Sequence, residues 1–378
     1  MQQRIKLHET DVFVAGGGPA GLAAAIAVRT KGFRVLVADG GRPPIDKPCG
    51  EGLMPDALEA LRALGISIGP EHGFSFRGIR FLGAGRSVDG NFPDGFGMGV
   101  RRTTLHELLI RRAEEVGVAM SWGTRISGLS AAGVRLDDQE VRCRWVIGAD
   151  GQKSQVRRWA GLDECRRESS RFTFRRHYRM APWTDCMEIY WGANCQMYVT
   201  PVGAGEVCVT VISSRRQMKF EDALPAFPEI SPWLEGVAPA TSERGSVTVT
   251  RSLKRVAGGR VILIGDASGS VDAITGEGLC LAFKQASAVA DALESGDLAA
   301  YQARHRRLER RPAFMAGLML TLDRSPWLCR RALHALSAKP AIFSRLLAMH
   351  VGALSPAEFI SGVAPLGWRI LTPGGGQL

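Results

Sequence analysis

Gly16, Gly18 and Gly21 follow the spacing G-x-G-x-x-G, a pattern that serves the pyrophosphate of a dinucleotide. Gly16 permits a tight turn, Gly18 offers no side chain to obstruct a phosphate, and Gly21 lets a helix pack close to a strand. Pro19 and Ala20 stand where that helix would open, so its first N–H groups would face the anion. Asp39 lies 18 residues beyond Gly21, where an acid accepts hydrogen bonds from ribose hydroxyls, although Asp-Gly-Gly is also turn chemistry. A second acid, Asp266, follows an apolar run that would deliver it to the edge of a sheet, where open α/β folds bind ligands. Gly276 and Gly278 then permit close backbone approach, and a helix starting beside Leu279 would favour negative charge on a bound group. The competing reading of Asp266 is a helix cap. These residues alone do not say which dinucleotide is bound.

Other side chains are candidates for the reaction itself. Cys49 could donate a proton or tune a cofactor, and the competing reading is a small, inert, buried residue. His177, Trp191 and Tyr198 fall in β-rich segments that could roof a substrate, and core packing is the alternative for each. His177 has the chemistry of an acid or base.

The elements that must position these residues are visible in the apolar pattern. Residues 11–15 read as a buried strand, 20–30 as an alanine-rich helix and 34–38 as a second strand, together one βαβ unit. Residues 103–116 have helical spacing, and 144–147 and 260–264 read as further buried strands. Between 171 and 253 the texture changes to short β-branched and aromatic segments, at 172–178, 187–191, 196–200, 206–212 and 246–250, which predicts an antiparallel sheet. From residue 277 onward the chain reads as mostly helical.

Composition narrows the class. The chain has 378 residues, 45% of them hydrophobic, enough for two or three domains with a large core. Its eight cysteines contain no CxxC pair, so zinc ribbons and thioredoxin-like pairs are not expected, nor is any metal, and free thiols fit a reducing compartment. Neither a secretory h-region nor an apolar run of transmembrane length is visible, so a cytoplasmic location is expected. The net charge is +11. Ten basic residues between 301 and 346 face only Glu309 and Asp323. Solvated basic faces covering the fold are one reading of this stretch, and a peripheral contact with a membrane is the other. A basic amphipathic helix does not by itself read bases, so nucleic acid is not expected.

Four segments taken in order carry a resemblance. Gly148-Ala149-Asp150-Gly151, with Ser154 and Arg157, resembles the DG motif of the flavoprotein hydroxylase superfamily. Gly265-Asp266 followed by Gly276-Glu277-Gly278-Leu279 resembles its GD motif, and Arg102 resembles the arginine that opens a helix and reaches FAD. Lys47-Pro48-Cys49-Gly50-Glu51-Gly52 is similar to the Cys-Gly-Gly segment of the geranylgeranyl reductase-like branch. The resemblance implies a para-hydroxybenzoate hydroxylase-like α/β fold: a Rossmann-type FAD-binding domain (residues 1–70, 98–165 and 255–300) interleaved with an antiparallel β-sheet substrate domain (71–97 and 166–254). A helical C-terminal region (301–372) and a disordered tail (373–378) would follow. It implies FAD as cofactor, Asp150 in the cofactor site, Asp266 on the ribityl chain or a nearby phosphate, Cys49 near the flavin, and Gly276 to Leu279 beside it.

The resemblance also implies an oxidoreductase acting on a hydrophobic small molecule such as a prenyl or polyketide compound. NAD(P)H would visit only transiently, since no second G-x-G-x-x-G domain is present. Aromatic hydroxylases of the superfamily carry a histidine and a proline where this chain has Gly269 and Ala273, which with the Cys49 segment favours reductase-like chemistry or an unusual oxygenation. Aromatic-hydroxylase-type oxygenation with O2, and flavin binding without turnover, stay open as alternatives.

Overall fold

Four apolar residues in a row, Val12, Phe13, Val14 and Ala15, are fully buried because their strand is covered on both faces. This strand, Glu9–Ala15, pairs in parallel with Val35–Asp39 on one side and Glu140–Gly148 on the other. The structure is a computed structural model that describes residues 9–359 except 138, 193, 216, 217, 356 and 357. The sheet runs Ala257–Gly258, Val261–Leu263, Glu140–Gly148, Glu9–Ala15, Val35–Asp39, Ala119–Trp122, with Gly133–Leu136 and Ile126–Leu129 attached through Glu140–Gly148. Helix Pro19–Thr30 begins with Pro19 at its first turn, where the missing N–H costs nothing. Its alanines pack against helix Gly278–Ser295, and small side chains let the two backbones approach.

A second sheet of seven strands stands apart from the first, in the order Arg244–Leu253, Cys165–Tyr178, Glu206–Ser213, Cys195–Gly203, Met187–Gly192, Gly78–Gly83, Arg86–Asn91. It corrects the expectation of a purely antiparallel sheet at one seam, because Met187–Gly192 runs parallel to Gly78–Gly83. That hairpin enters from far earlier in the chain, and such a distant strand is free to pair in either direction. Its glycines and arginines hide it from a strand pattern. A small three-stranded sheet of Gly52–Leu53, Gly97–Gly99 and Phe74–Phe76 lies at the crossing between the two regions.

The described C-terminal part is helical: Leu298–Arg324, Pro326–Ala338 and Pro340–His350. Their buried faces, among them Ala316, Met319, Leu333 and Phe343, join one apolar cluster with Ile79, Met187, Ile189 and Tyr198 of the second sheet. The tail expected at 373–378, and the end of the expected helical region from 360, lie outside the described residues.

Candidate active site

A cavity of about 250 Å³ opens between the two sheets, and most of the expected residues meet in it. On the parallel-sheet side it is lined by Gly18, Pro19, Ala20, Arg102, Asp266, Gly276, Gly278 and Leu279. The three motif glycines divide their work as their spacing predicts. Gly16 holds φ +111°, and a Cβ on Gly21 would stand 1.8 Å from the Gly16 oxygen, so the helix can lie this close only without a side chain. Above Gly18 no protein atom lies within 4 Å of where a Cβ would be, leaving space for a ligand.

Asp266 is delivered by the short turn Gly265–Ser268 at the end of Val261–Leu263. Its side chain is open to the cavity, yet protein surrounds it on nearly every side. That enclosure raises its carboxyl above the ordinary carboxylate range, with Lys47 and Arg102 pulling the other way. A buried network holds the turn from behind. Gly265 N donates to Gln285 Oε1 at 2.8 Å, and Gln285 Nε2 meets His305 Nε2 at 3.0 Å. The same His305 nitrogen lies 2.9 Å from Ser268 Oγ. Burial pushes His305 down to about 4, so it is neutral at ordinary pH.

The opposite wall comes from the second sheet and the loop before it. Thr173, Met187, Tyr198, Thr210, Ile212, Thr248 and Val249 line it, with Cys49 at one end. Tyr198 donates its hydroxyl to Ile274 O at 2.7 Å, and burial holds its proton on. Cys49 is half-buried; its sulfur accepts from Glu51 N at 3.4 Å, and its carbonyl accepts from Thr210 Oγ1 at 3.4 Å.

Several expected residues lie elsewhere. Asp150 caps helix Gln155–Trp159, accepting from Ser154 Oγ, Gln155 N and Val156 N, and is not part of the cavity lining. Its neighbours Ala149, Gly151 and Gln152 line the cavity instead. Asp39 also lies outside the lining; it accepts from Gly17 N and Gly41 N, each at 2.7 Å, and so fixes the motif loop. Trp191 follows Met187 on the same face of its strand, but the C-terminal helices cover it and its ring meets Phe81 edge-on at 5.5 Å. His177 shares a strand face with Thr173, yet the loop around Glu51 seals it from the cavity, and it is fully buried.

Sequence reasoning singled out no role for Glu51, which proves to be the hub of the crossing. Its Oε1 accepts from Arg102 N at 2.9 Å and Arg175 Nη1 at 3.0 Å, and its Oε2 pairs with His177 Nε2 at 2.7 Å. Arg175 also donates to both oxygens of Asp46 at 2.9 Å. Glu51 adopts φ 57°, a left-handed conformation that costs a non-glycine residue about 1 kcal/mol or more. An acidic side chain between Gly50 and Gly52, with two arginines and a histidine on one distant strand, was the available signal. Glu51, His177 and Cys208 bring ligand-type atoms within 4.8 Å of one another. Arg175 already occupies Glu51, and burial holds the Cys208 thiol well above its usual range, so the set reads as a hydrogen-bonded network.

The cavity fits an extended anionic dinucleotide. Arg102 Nε is buried with no hydrogen-bond partner among the described residues, Gly18 leaves open space, and the N-terminus of the long helix Gly278–Ser295 faces the same volume. Residues 9–308 match the FAD binding domain family. The chain belongs to that family. FAD is accordingly its cofactor, and the chain is an FAD-dependent oxidoreductase. It is 31% identical over 316 residues to a menaquinone reductase of Mycobacterium tuberculosis, covering 76% of this chain and 78% of that protein. It is 27% identical over 331 residues to a digeranylgeranylglycerophospholipid reductase of Methanothermobacter thermautotrophicus, covering 78% and 81%. A geranylgeranyl bacteriochlorophyll reductase-like structure from Thermoplasma acidophilum shares the fold, with a TM-score of 0.74, 21% identity, and coverage of 96% of this chain and 98% of that one. No described helix is long and apolar enough to cross a membrane.

Proposed function

We propose that the chain reduces a carbon–carbon double bond in a prenyl-type hydrophobic substrate. The observation that carries this reading is the sheet wall of the cavity. Of the described lining residues on the strands of the second sheet, only Tyr198 carries an ionisable side chain, and that hydroxyl is already donated to Ile274 O; Lys47, Cys49 and Glu51 enter from the loop at its end. A substrate there is held by shape and apolar contact, chiefly with Met54, Met187, Ile212 and Leu279. The menaquinone and geranylgeranyl-lipid reductases among its relatives support the same substrate class.

FAD, when bound, supplies hydride exchange. Gly18, Arg102 and Asp266 hold it, Gly276 and Gly278 bring bare backbone against it, and the helix after Gly278 stabilises negative charge on its reduced form. Cys49 has the cavity position of a proton donor to the second carbon of the double bond. NAD(P)H reaches the site from solvent as the electron donor. The position of Gly269 disfavours the aromatic-hydroxylase alternative. Its φ is +109°, and a Cβ there would lie 2.6 Å from Arg251 O, so the histidine of those enzymes has no room.

The test is mass analysis of prenyl quinone and geranylgeranyl lipid incubated with the holoenzyme and NAD(P)H. The expected product gains two hydrogens per reduced bond in its prenyl chain, with the quinone ring unchanged, and Cys49→Ser slows its formation about 100-fold while retaining FAD. A product that gains oxygen instead would overturn the proposal, and undiminished turnover of Cys49→Ser would remove the cysteine from it.

A further inference from the structure

Helix Leu298–Arg324 is divided into two unlike faces. Its inner face, with Met315, Ala316 and Met319, is buried, and Ala316 and Met319 enter the apolar cluster that also holds Met54, Met187, Tyr198 and Ile212. Those last four line the active-site cavity. The outer face carries Phe314 and Leu318, one turn apart, 52% and 37% exposed. Trp327, at the start of the next helix, is 55% exposed. An isolated exposed apolar residue needs no explanation, but two at i, i+4 spacing form a stripe, and the exposed indole of Trp327, with Arg331 over its ring, follows just past the helix end.

The charges around this stripe have one sign. Arg307 and Arg310 precede it at helical spacing, Arg324 and Arg330 follow it, and all four are exposed. None of the four has an ion pair among the described residues. The nearby acids are withdrawn: Asp323 is buried against Arg171 and Gln196, and burial pushes Glu309 up to about 7. An apolar strip with an indole at its edge, bracketed by unpaired arginines, has the chemistry of a surface that lies in the headgroup region of an anionic bilayer.

We propose that the outer face of helix Leu298–Arg324, continued by Trp327 and Arg330, docks the protein on anionic lipid membranes. The inner face of that same helix packs on the cluster that runs into the cavity, so docking sets the bilayer one helix thickness from the apolar route to the active site. This deepens the proposed function, whose substrate would be drawn from that bilayer, but its test needs no turnover.

The experiment is co-sedimentation of the full chain, loaded with FAD, with phosphatidylcholine vesicles with or without phosphatidylglycerol, at low and high salt. The expected result is binding to the phosphatidylglycerol vesicles that weakens with salt, and at least about tenfold weaker binding without the anionic lipid. Phe314→Ser/Leu318→Ser is expected to lower affinity at least about tenfold, and Arg307→Gln/Arg310→Gln/Arg324→Gln to remove the salt dependence. Phe96→Ser, at a residue 60% exposed elsewhere, should bind as wild type and controls for general stickiness. The proposal is overturned by equal binding to both vesicle types, by no binding, or by unchanged binding of the Phe314/Leu318 variant. Concentration-dependent dimers in lipid-free solution that Phe314→Ser/Leu318→Ser abolishes would overturn it too, assigning the stripe to a second copy of the chain. If vesicle binding fails while detergent-dispersed prenyl substrate is still reduced, the docking surface falls and the proposed function stands.

Discussion

The two walls of the cavity are built on opposite plans. The cofactor wall, the one we assign to FAD, is rich in bare backbone: Gly18, Gly265, Gly276 and Gly278 present main chain, and helix ends with Arg102 supply positive charge. The wall we propose for the substrate is mostly side chain, projected from a sheet whose register decides which residues face inward. A backbone-built wall binds one group that the fold dictates, whereas a side-chain wall can change its ligand by substitution without disturbing the other. Glu51 is where the two are joined. It ties the start of the Arg102 helix to the strand of Arg175 and His177.

If that joint matters, breaking it should disturb both walls at once. Glu51→Ala leaves Arg175 and His177 buried without their shared partner, and the expected loss of stability is about 3–5 kcal/mol. Denaturant unfolding measures it, and FAD retention and substrate affinity are expected to fall together; loss of one alone would show the walls to be independent. A narrower perturbation is Gly18→Val. No protein atom contests that side chain, so the unfolding midpoint of the FAD-free protein should stay near wild type while FAD affinity drops about 100-fold. Absorbance of the purified protein and cofactor titration read this directly.

Acid acts on the cofactor wall through His305. Its folded value is about 4 against an unfolded value near 6.5, so the stability from keeping it neutral is present above 6.5 and lost as pH falls from 6.5 towards 4. The expected cost at pH 4 is about 3 kcal/mol in melting experiments. His305→Gln should flatten that limb of the pH profile. The smallest effect belongs to Tyr198→Phe, which orphans Ile274 O, lowers stability by about 1 kcal/mol, raises KM and leaves FAD binding unchanged.

How much of this was legible in the sequence follows the same division. The Gly16 to Gly21 turn, the placement of Asp266 after a strand and the Gly276 to Leu279 turn were readable because they depend on local backbone conformation and chain order. The surroundings of Asp150 were not legible because a cap and a ligand contact have the same local sequence, and only the fold shows its carboxylate accepting from Ser154, Gln155 and Val156. On the other wall, strand periodicity set the facing of Trp191 and His177 but not what would cover them. The C-terminal helices bury one, and the loop at Glu51 buries the other. Glu51 itself escaped notice because its partners lie about 50 and 125 residues away in the chain, a separation that no local pattern encodes.

The central claim, that an apolar substrate accepts hydride over an FAD wall, is tested most directly by an anaerobic single turnover. The FAD-loaded protein is reduced, freed of excess reductant and mixed with a prenyl quinone or geranylgeranyl lipid while flavin absorbance is followed. Return of the oxidised flavin spectrum without O2, in step with a substrate that gains two hydrogens in its prenyl chain and none at the quinone ring, is the predicted result. Flavin that stays reduced until O2 is admitted, and then yields an oxygenated product, would contradict the account.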